Sequence, residues 1–520
     1  MSLTKATYAM VTGAPVNAFD YMTAAQIADV QARTRALDVS AAVQAALNYA
    51  WANGKTLFLP AGDYKAKITT PAIPAEPRGL AFIMQGEGAG SVFLGNPYVK
   101  GTTIVSPDTS STLTIDNILT ASDSGPQVHI RDIRFEGTSS NPVLQIDVWN
   151  DFCEIRNCEI RQDGTGGGIS FTRAYGGTIK ETHVANSNLA GTSTATGTGI
   201  DVNTPYSGAL LTFYKVSSRG FNTAFNLGSG GGTYILSTEL QDCECAFNNY
   251  GVLVNDGMRK TIINGCYFEG IAITAIQDQG EGTTISNCMM FEGPATQIKA
   301  DYDTRGNLYF GNYIQLSAAN QVGINVKGSS DATGYAKTVR DNFIYFLNSG
   351  GSVAGVVGIY LQGSNPAVNI DSNTFRPRRA WVGGAGTASF TNASTGAVVG
   401  VIPQTDSLNS FPLLSSYSLR LASGSSALTQ SDVAAGVLTI PVAGSSFTLG
   451  ASSAVNVTQI AATNQTPRLV LFVFNNSNMT FQKGTYMLLS ANFSGAGSML
   501  CDLQISGGNV YLYEISRTLY

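Results

Sequence analysis

KTIINGCYFEG, from Lys260 to Gly270, and GTTISNCMMFEG, from Gly282 to Gly293, are two copies of one phrase. Glu269 and Glu292 hold the same place in the two and are 23 residues apart. Looser copies read VHIRDIRFEG from Val128, CEIRNCEIRQDG from Cys153 and KTVRDNFIYF from Lys337. Each alternates apolar and polar residues, passes through Asn, Asp or Gly, and resumes with another apolar residue. Alternation at period two marks a strand with one buried face. Recurrence every twenty-odd residues marks a solenoid, whose units bury their apolar faces only against one another. The reading is a parallel β-helix with about one coil per repeat. Leu308, Val339 and Val368 continue it at variable spacing, as loops of different length at one corner would produce.

At 520 residues the chain exceeds one ordinary core, which fits a solenoid or several domains. Only 12% of residues are charged and the net charge is −5, so no basic face for nucleic acid is expected. No apolar run reaches the roughly 20 residues that span a membrane, and no signal peptide opens the chain. A protein made in a cytosol and released by another route is expected. The cysteines number seven, and Cys158, Cys243, Cys266 and Cys288 lie inside strand phrases, where a thiol serves as a small stacked hydrophobe. Cys243 and Cys245 have no second pair at zinc-finger spacing, and the only histidines are His129 and His183. Neither metal nor cofactor is expected.

Residues 1–70 read as a cap. Thr23-Ala-Ala-Gln26 is a capping box, and Asp38 precedes a second helix with Val39, Val43, Leu47 and Ala50 on one face. Such a helix would cover the open apolar end of the first coil. Residues 71–402 read as the coils, carrying catalysis and receptor binding, with Gly-rich loops between strands. Residues 403–520 hold four acidic and four basic residues, and runs such as RLVLFVFNN and NVYLYEISRTLY lie between Gly, Ser and Asn. Short alternating strands with turn signals predict an antiparallel β-sandwich, serving trimerisation or carbohydrate binding.

DVSAAVQAALNYAWANGKTLFLPAGDYK, from Asp38 to Lys65, resembles the opening segment of the pectate-lyase-like β-helix superfamily. Before it, ATYAMVTGAPVNAFDYMTAAQIADVQARTRALD resembles the start of the spike body in tailspikes of phages infecting capsulated bacteria such as Acinetobacter. The likeness spans about residues 6–70 and continues as a coil pattern to about 400. It departs at Asp20-Tyr21-Met22-Thr23, where the family more usually has Asp-Tyr-Gly-Ala. The resemblance implies a right-handed parallel β-helix, a homotrimer, and a virion protein that depolymerises capsular polysaccharide at the bacterial surface. It also implies attachment to other phage tail proteins through a segment preceding this chain. No catalytic residue carries over.

Glycoside hydrolysis needs two carboxyl groups, about 5 Å apart for retention or about 6.5–9.5 Å for inversion. Coils stack about 4.8 Å apart, so equivalent positions on neighbouring coils can supply the pair. Glu269 and Glu292 are one candidate pair, Asp278 and Asp301 another, with Asp303 and Arg305 just beyond. Tyr267, Tyr302, Tyr309 and Tyr313 lie nearby and could stack on sugars. A second cluster is Glu239, Asp242 and Glu244. The competing reading is bland: Glu136 shares the phrase, and a Glu at a coil corner is ordinarily a solvated turn residue. A lyase would use a basic group or tyrosine beside an acidic sugar, and Arg376, Arg378 and Arg379 could bind its carboxylates, or be a solvated corner. No nucleophile elbow accompanies the histidines. The leading expectation is a glycosidic depolymerase acting by hydrolysis, with a lyase or a non-catalytic, lectin-like receptor-binding spike as alternatives.

Overall fold

The computed structural model describes residues 14–520 apart from 71–80, 90–100, 116–126, 150–151, 187–195, 203–209, 229–234, 292, 301, 319, 328–336, 347–356, 363–367, 372, 378–387, 393–396, 403–424, 441–445, 463–467, 475–477, 495, 507–508 and 520. Three long sheets run the length of the coils. The first has 13 strands, from Val16–Asn17 to Val368–Asp371, and the second has 12, from Gly62–Lys65 to Thr374–Pro377. The third has 13, from Ile68–Thr69 to Ala397–Ile402. Within each sheet every strand pairs in parallel with its equivalent one coil on, until Ala397–Ile402 turns back antiparallel to Ala388–Asn392. The chain is a parallel β-helix.

One corner explains the Asn, Asp and Gly in the repeated phrase. From the coil of Asp132 onward the chain turns between the first and second sheets on a single left-handed residue: Asp132, Asn157, Glu181, Lys215, Asp242, Gly265, Asn287, Gly311 and Asp341 all have φ between 50° and 67°. Gly adopts this conformation freely and Asn or Asp at small cost, so those residues dominate the corner. The turn does not interrupt pairing. The Asp242 N–H donates to the Asn264 carbonyl and the Gly265 N–H to that of Ser286, both at 3.0 Å. The next residue points inward in every coil, which stacks Cys243, Cys266 and Cys288 and then Asn312 and Asn342 in one buried column. Burial pushes the Cys158 thiol up to about 12 and those of Cys243 and Cys288 well above their usual range. All seven cysteines are buried thiols outside any disulfide. Asn312 donates to Asn342 and Asn342 to Asn373, each at 2.9 Å, so buried amides satisfy one another along the axis.

The cap forms as its capping signals predict. Helix α1 (Ala24–Ala32) carries the full Thr23/Gln26 capping box. Helix α2 (Ser40–Ala52) has Val39 as its N-cap, and Asp38 instead accepts the Ser40 N–H at 2.8 Å. Its buried Val43, Leu47, Ala50 and Trp51 join the coil core, with Trp51 6.3 Å from Phe82. No helix among the described residues is long and apolar enough to cross a membrane.

The last hundred residues are strand-rich around a separate core that includes Phe447, Phe472, Phe474 and Phe481. Their pairing is mixed. Ser425–Leu428, Ser446–Leu449 and Arg468–Phe474 pair in parallel, as do Val437–Ile440 with Gln459–Ala462 and Val455–Val457 with Met479–Phe481. The antiparallel ladder expected of the whole region is concentrated in Arg468–Phe474, Gly497–Ser506 and Asn509–Leu519. Alternation fixes which face is buried but not which strand is the partner, so a short parallel coil and a hairpin read alike.

Candidate functional site

Because each corner is one residue long, the second and fourth residues after it point outward from the second sheet. The third points inward, as buried Phe135, Ile160, Val184, Phe268 and Ile314 do. The register aligns one outward column as Arg134, Glu159, His183, Ser217, Glu244, Tyr267, Met289, Tyr313 and Phe343. The other contains Glu136, Arg161, Ala185, Arg219, Ala246, Glu269 and Phe291. The face is charged over its early coils and aromatic over its later ones.

The charged end is closed by the chain that follows α1. Arg33 pairs with Asp63 at 2.6 Å, and Arg35 pairs with Asp63 at 2.9 Å and with Glu136 at 2.8 Å. Arg134 lies 2.7 Å from Glu136 and 3.6 Å from Glu159. Glu136 is 7% exposed, so it is a buried ion-pair member and not the solvated corner its phrase suggested. Removing one partner of such a group strands a buried charge, at a cost of about 3–5 kcal/mol. His183 stands in register between Glu159 and Ser217. Burial, reinforced by Arg219, lowers it to about 4, so it is neutral at neutral pH.

At the boundary between the two ends lie two carboxylates. Glu244 accepts from Ser217 at 2.7 Å and from Arg219. Glu269, on the next strand, accepts from the Tyr267 hydroxyl at 3.1 Å. Glu244 pairs in register with Tyr267, which places Glu269 one strand over and two residues along. Strand spacing and rise put the two Cα atoms about 8 Å apart, from which the carboxyl groups can reach a glycosidase separation. Beyond them runs a ladder of half-buried rings. Tyr267, Phe291, Tyr313 and Phe343 follow at centroid distances of 5.6, 5.4 and 5.3 Å, with Tyr345 6.4 Å from both Tyr313 and Phe343. The first two contacts are tilted, at 41° and 37° between ring planes, and the third is stacked, at 14°. Burial, then Tyr345, raises the Tyr313 phenol.

Of the residues singled out from the sequence, Glu244, Glu269, Tyr267 and Tyr313 lie on this face. The expected pairing of Glu269 with Glu292 does not hold: Glu269 pairs with Phe291, and Tyr267 with Met289. The coil here is 22 residues, set by the stacked Cys266 and Cys288, and the extra Met in CMMFEG slides its Glu one position past the register. Likewise Gln277 pairs with Lys299, which aligns Asp278 with Ala300 and not with Asp301. Glu292, Asp301 and Arg378 lie outside the described residues. Arg376 is on the strand Thr374–Pro377, opposite Tyr345, with its side chain outside the described set.

Asp278 and Tyr309 are corrected outright, since both are fully buried inside the coil. Asp278 accepts from Gly280 N at 3.0 Å, Thr283 Oγ1 at 2.9 Å, Asn307 Nδ2 at 2.7 Å and Tyr309 Oη at 2.8 Å. Burial raises both groups, so the pair pins a corner and meets no substrate. Asp242 is a left-handed corner residue. Glu239 belongs to the first sheet, between Thr212 and Ile262. Tyr302, Asp303 and Arg305 are exposed on the corner between the third and first sheets, across the coil from the second. Glu159, Arg134, Arg219, Phe291, Phe343 and Tyr345 were missed. Counting two and four residues from each Asn, Asp or Gly corner would have found most of them. Among the described residues no group of three or more His, Cys, Asp or Glu could hold a metal ion.

No protein-family model and no curated protein matches the chain. Among solved structures it is similar to the N-terminal fragment of gene product 12 of bacteriophage Phi29, with 12% identity, 86% of this chain and 80% of that chain covered, and a TM-score of 0.47. It is similar to the Dettilon tailspike at 14% identity, with 91% and 76% covered and a TM-score of 0.39. The tailspike of Acinetobacter phage vb_AbaP_AS12 follows at 12%, with 95% and 81% covered and a TM-score of 0.37. Phage tailspikes are thus among the structures it resembles.

Proposed function

We propose that the protein is a phage tailspike that binds and cleaves a bacterial surface polysaccharide on the outer face of its second sheet. The observation that carries this is the meeting of two carboxylates, Glu244 and Glu269, with a half-exposed aromatic ladder on one continuous surface. Half-exposed aromatic rings and phenol hydroxyls suit sugars, which offer C–H surface and hydroxyls together. Glycosidic hydrolysis needs one carboxyl to donate a proton to the leaving oxygen and one to act as base or nucleophile. Glu244, already accepting from Arg219 and Ser217, suits the second role, and Glu269 the first. Capsular polysaccharide as substrate, a homotrimer as the working form and a place on the virion tail belong to the same proposal.

The test is digestion of a panel of purified capsular polysaccharides by wild type, E244Q and E269Q, followed by fragment size and mass. Either replacement should lower turnover about a hundredfold or more, the scale of a lost acid–base group. Hydrated new ends support hydrolysis, whereas unsaturated ends would replace it with elimination. Binding with no fragmentation by wild type would reduce the protein to a receptor-binding spike.

A further inference from the structure

Resting on the reading just given, we propose that the ring ladder is a one-sided run of sugar subsites. The glycan would lie along the coil axis from Glu269 toward Tyr345. Three observations support this. The rings repeat at 5.3–5.6 Å, close to the strand spacing of about 4.8 Å and to the length of one pyranose, so each coil offers one contact per sugar. The described outward side chains from Met289 to Tyr345 are Met289, Phe291, Tyr313, Gln315, Phe343 and Tyr345, none of them charged, and Arg376 follows in register with Tyr345 on the next strand. On the other side of the carboxylates the outward groups are ion-paired, and Arg33 and Arg35 close the earliest coils. The ladder is continuous with the candidate site because Tyr267 both begins it and donates to Glu269. Substrate therefore gains affinity on one flank of the bond that breaks, and the fragment on that flank leaves last.

The experiment uses full-length Y313A and Y345A, the milder Y313F and Y345F, and T284A on the first sheet as control. The substrate is whichever capsular polysaccharide wild type digests. Each alanine variant should raise KM about tenfold and leave kcat within a factor of two, with T284A unchanged. The phenylalanine variants should give a smaller rise in KM. Fragments of four sugars should inhibit wild type competitively and Y345A less. An unchanged KM in folded Y313A and Y345A would overturn the subsites while leaving the carboxylate assignment intact. A fall in assembly mass with unchanged KM would make the ladder an interface between copies. If wild type digests nothing in the panel, the underlying reading fails instead.

Discussion

Replacing Asp278 by Asn separates a structural carboxylate from a catalytic one. Oδ1 accepts from Gly280 N and Thr283 Oγ1, and Oδ2 from Asn307 Nδ2 and Tyr309 Oη. An Asn keeps one acceptor and sets an NH2 against the other two donors. The Tyr309 hydroxyl can rotate to accept, but the Asn307 amide loses a partner in a fully buried place. It keeps Gly280 O at 2.9 Å and Thr304 Oγ1 at 3.2 Å but loses its shortest bond and faces a second NH2, at a cost of about 1–3 kcal/mol, so about 2 kcal/mol is expected, or roughly a thirtyfold shift in local opening. Gly282, whose N–H is held by Asn307 at 3.0 Å, reports the change. Its hydrogen-exchange protection should fall about thirtyfold, while turnover per folded molecule stays within a factor of two. The pH dependence has a definite sign. Burial raises Asp278, so the wild-type fold gains from its proton at low pH and loses that gain as pH rises through the raised value. The penalty of D278N should therefore be largest in acid. A variant with intact protection and activity lost a hundredfold would show that Asp278 takes part in the chemistry.

Thr238 and Thr261 are fully buried with hydroxyls that meet no partner, so the double Val variant should unfold at a higher temperature in calorimetry, by up to about 1–3 kcal/mol per site. Gly265 has φ +67, and a Cβ there would lie 2.5 Å from Asp242 Oδ1, so G265A should lower the denaturation midpoint by the equivalent of about 1–2 kcal/mol. His183 takes its proton near 6.5 when unfolded but only near 4 when folded, so stability is complete above about pH 6.5 and falls as pH drops to about 4. The loss should reach up to about 3 kcal/mol, and H183N should flatten that slope in pH-dependent unfolding curves.

The coil period, the cap and the left-handed corners were legible because each is written in local chemistry: alternation, a capping box, and Asn, Asp or Gly where φ is positive. The site was less legible because it depends on register. Matching the two phrases by their FEG ends put Glu269 against Glu292, whereas the inward column of Cys266 and Cys288 sets the pairing one residue away. One residue along a strand exchanges faces, so this small slip decides which carboxylates share a surface. Asp278 misled for a related reason. A carboxylate between loops reads as exposed, and only the fold brings Thr283, Asn307 and Tyr309 around it. The aromatic ladder is dispersed from Tyr267 to Tyr345 and has no local signature at all.

The single-residue corner also governs how such a molecule can change. Insertions there would break the inward column and shift every outward residue beyond it. The other two corners carry connections of unequal length, from two residues between Ala174 and Gly177 to five between Asp278 and Thr284 and longer passages elsewhere. From Asp132 to Asp341 variation is thus confined to two edges of a prism whose third edge is held constant; in the coil before, residues 87–101 separate Ala81–Gly86 from Thr102–Val105 on that edge. One of those variable edges borders the second sheet, so loops there can grow or shrink and reshape the wall of its outer face. If that face binds glycan as proposed, editing the rim would change which glycan fits while the strand register behind it stays in place.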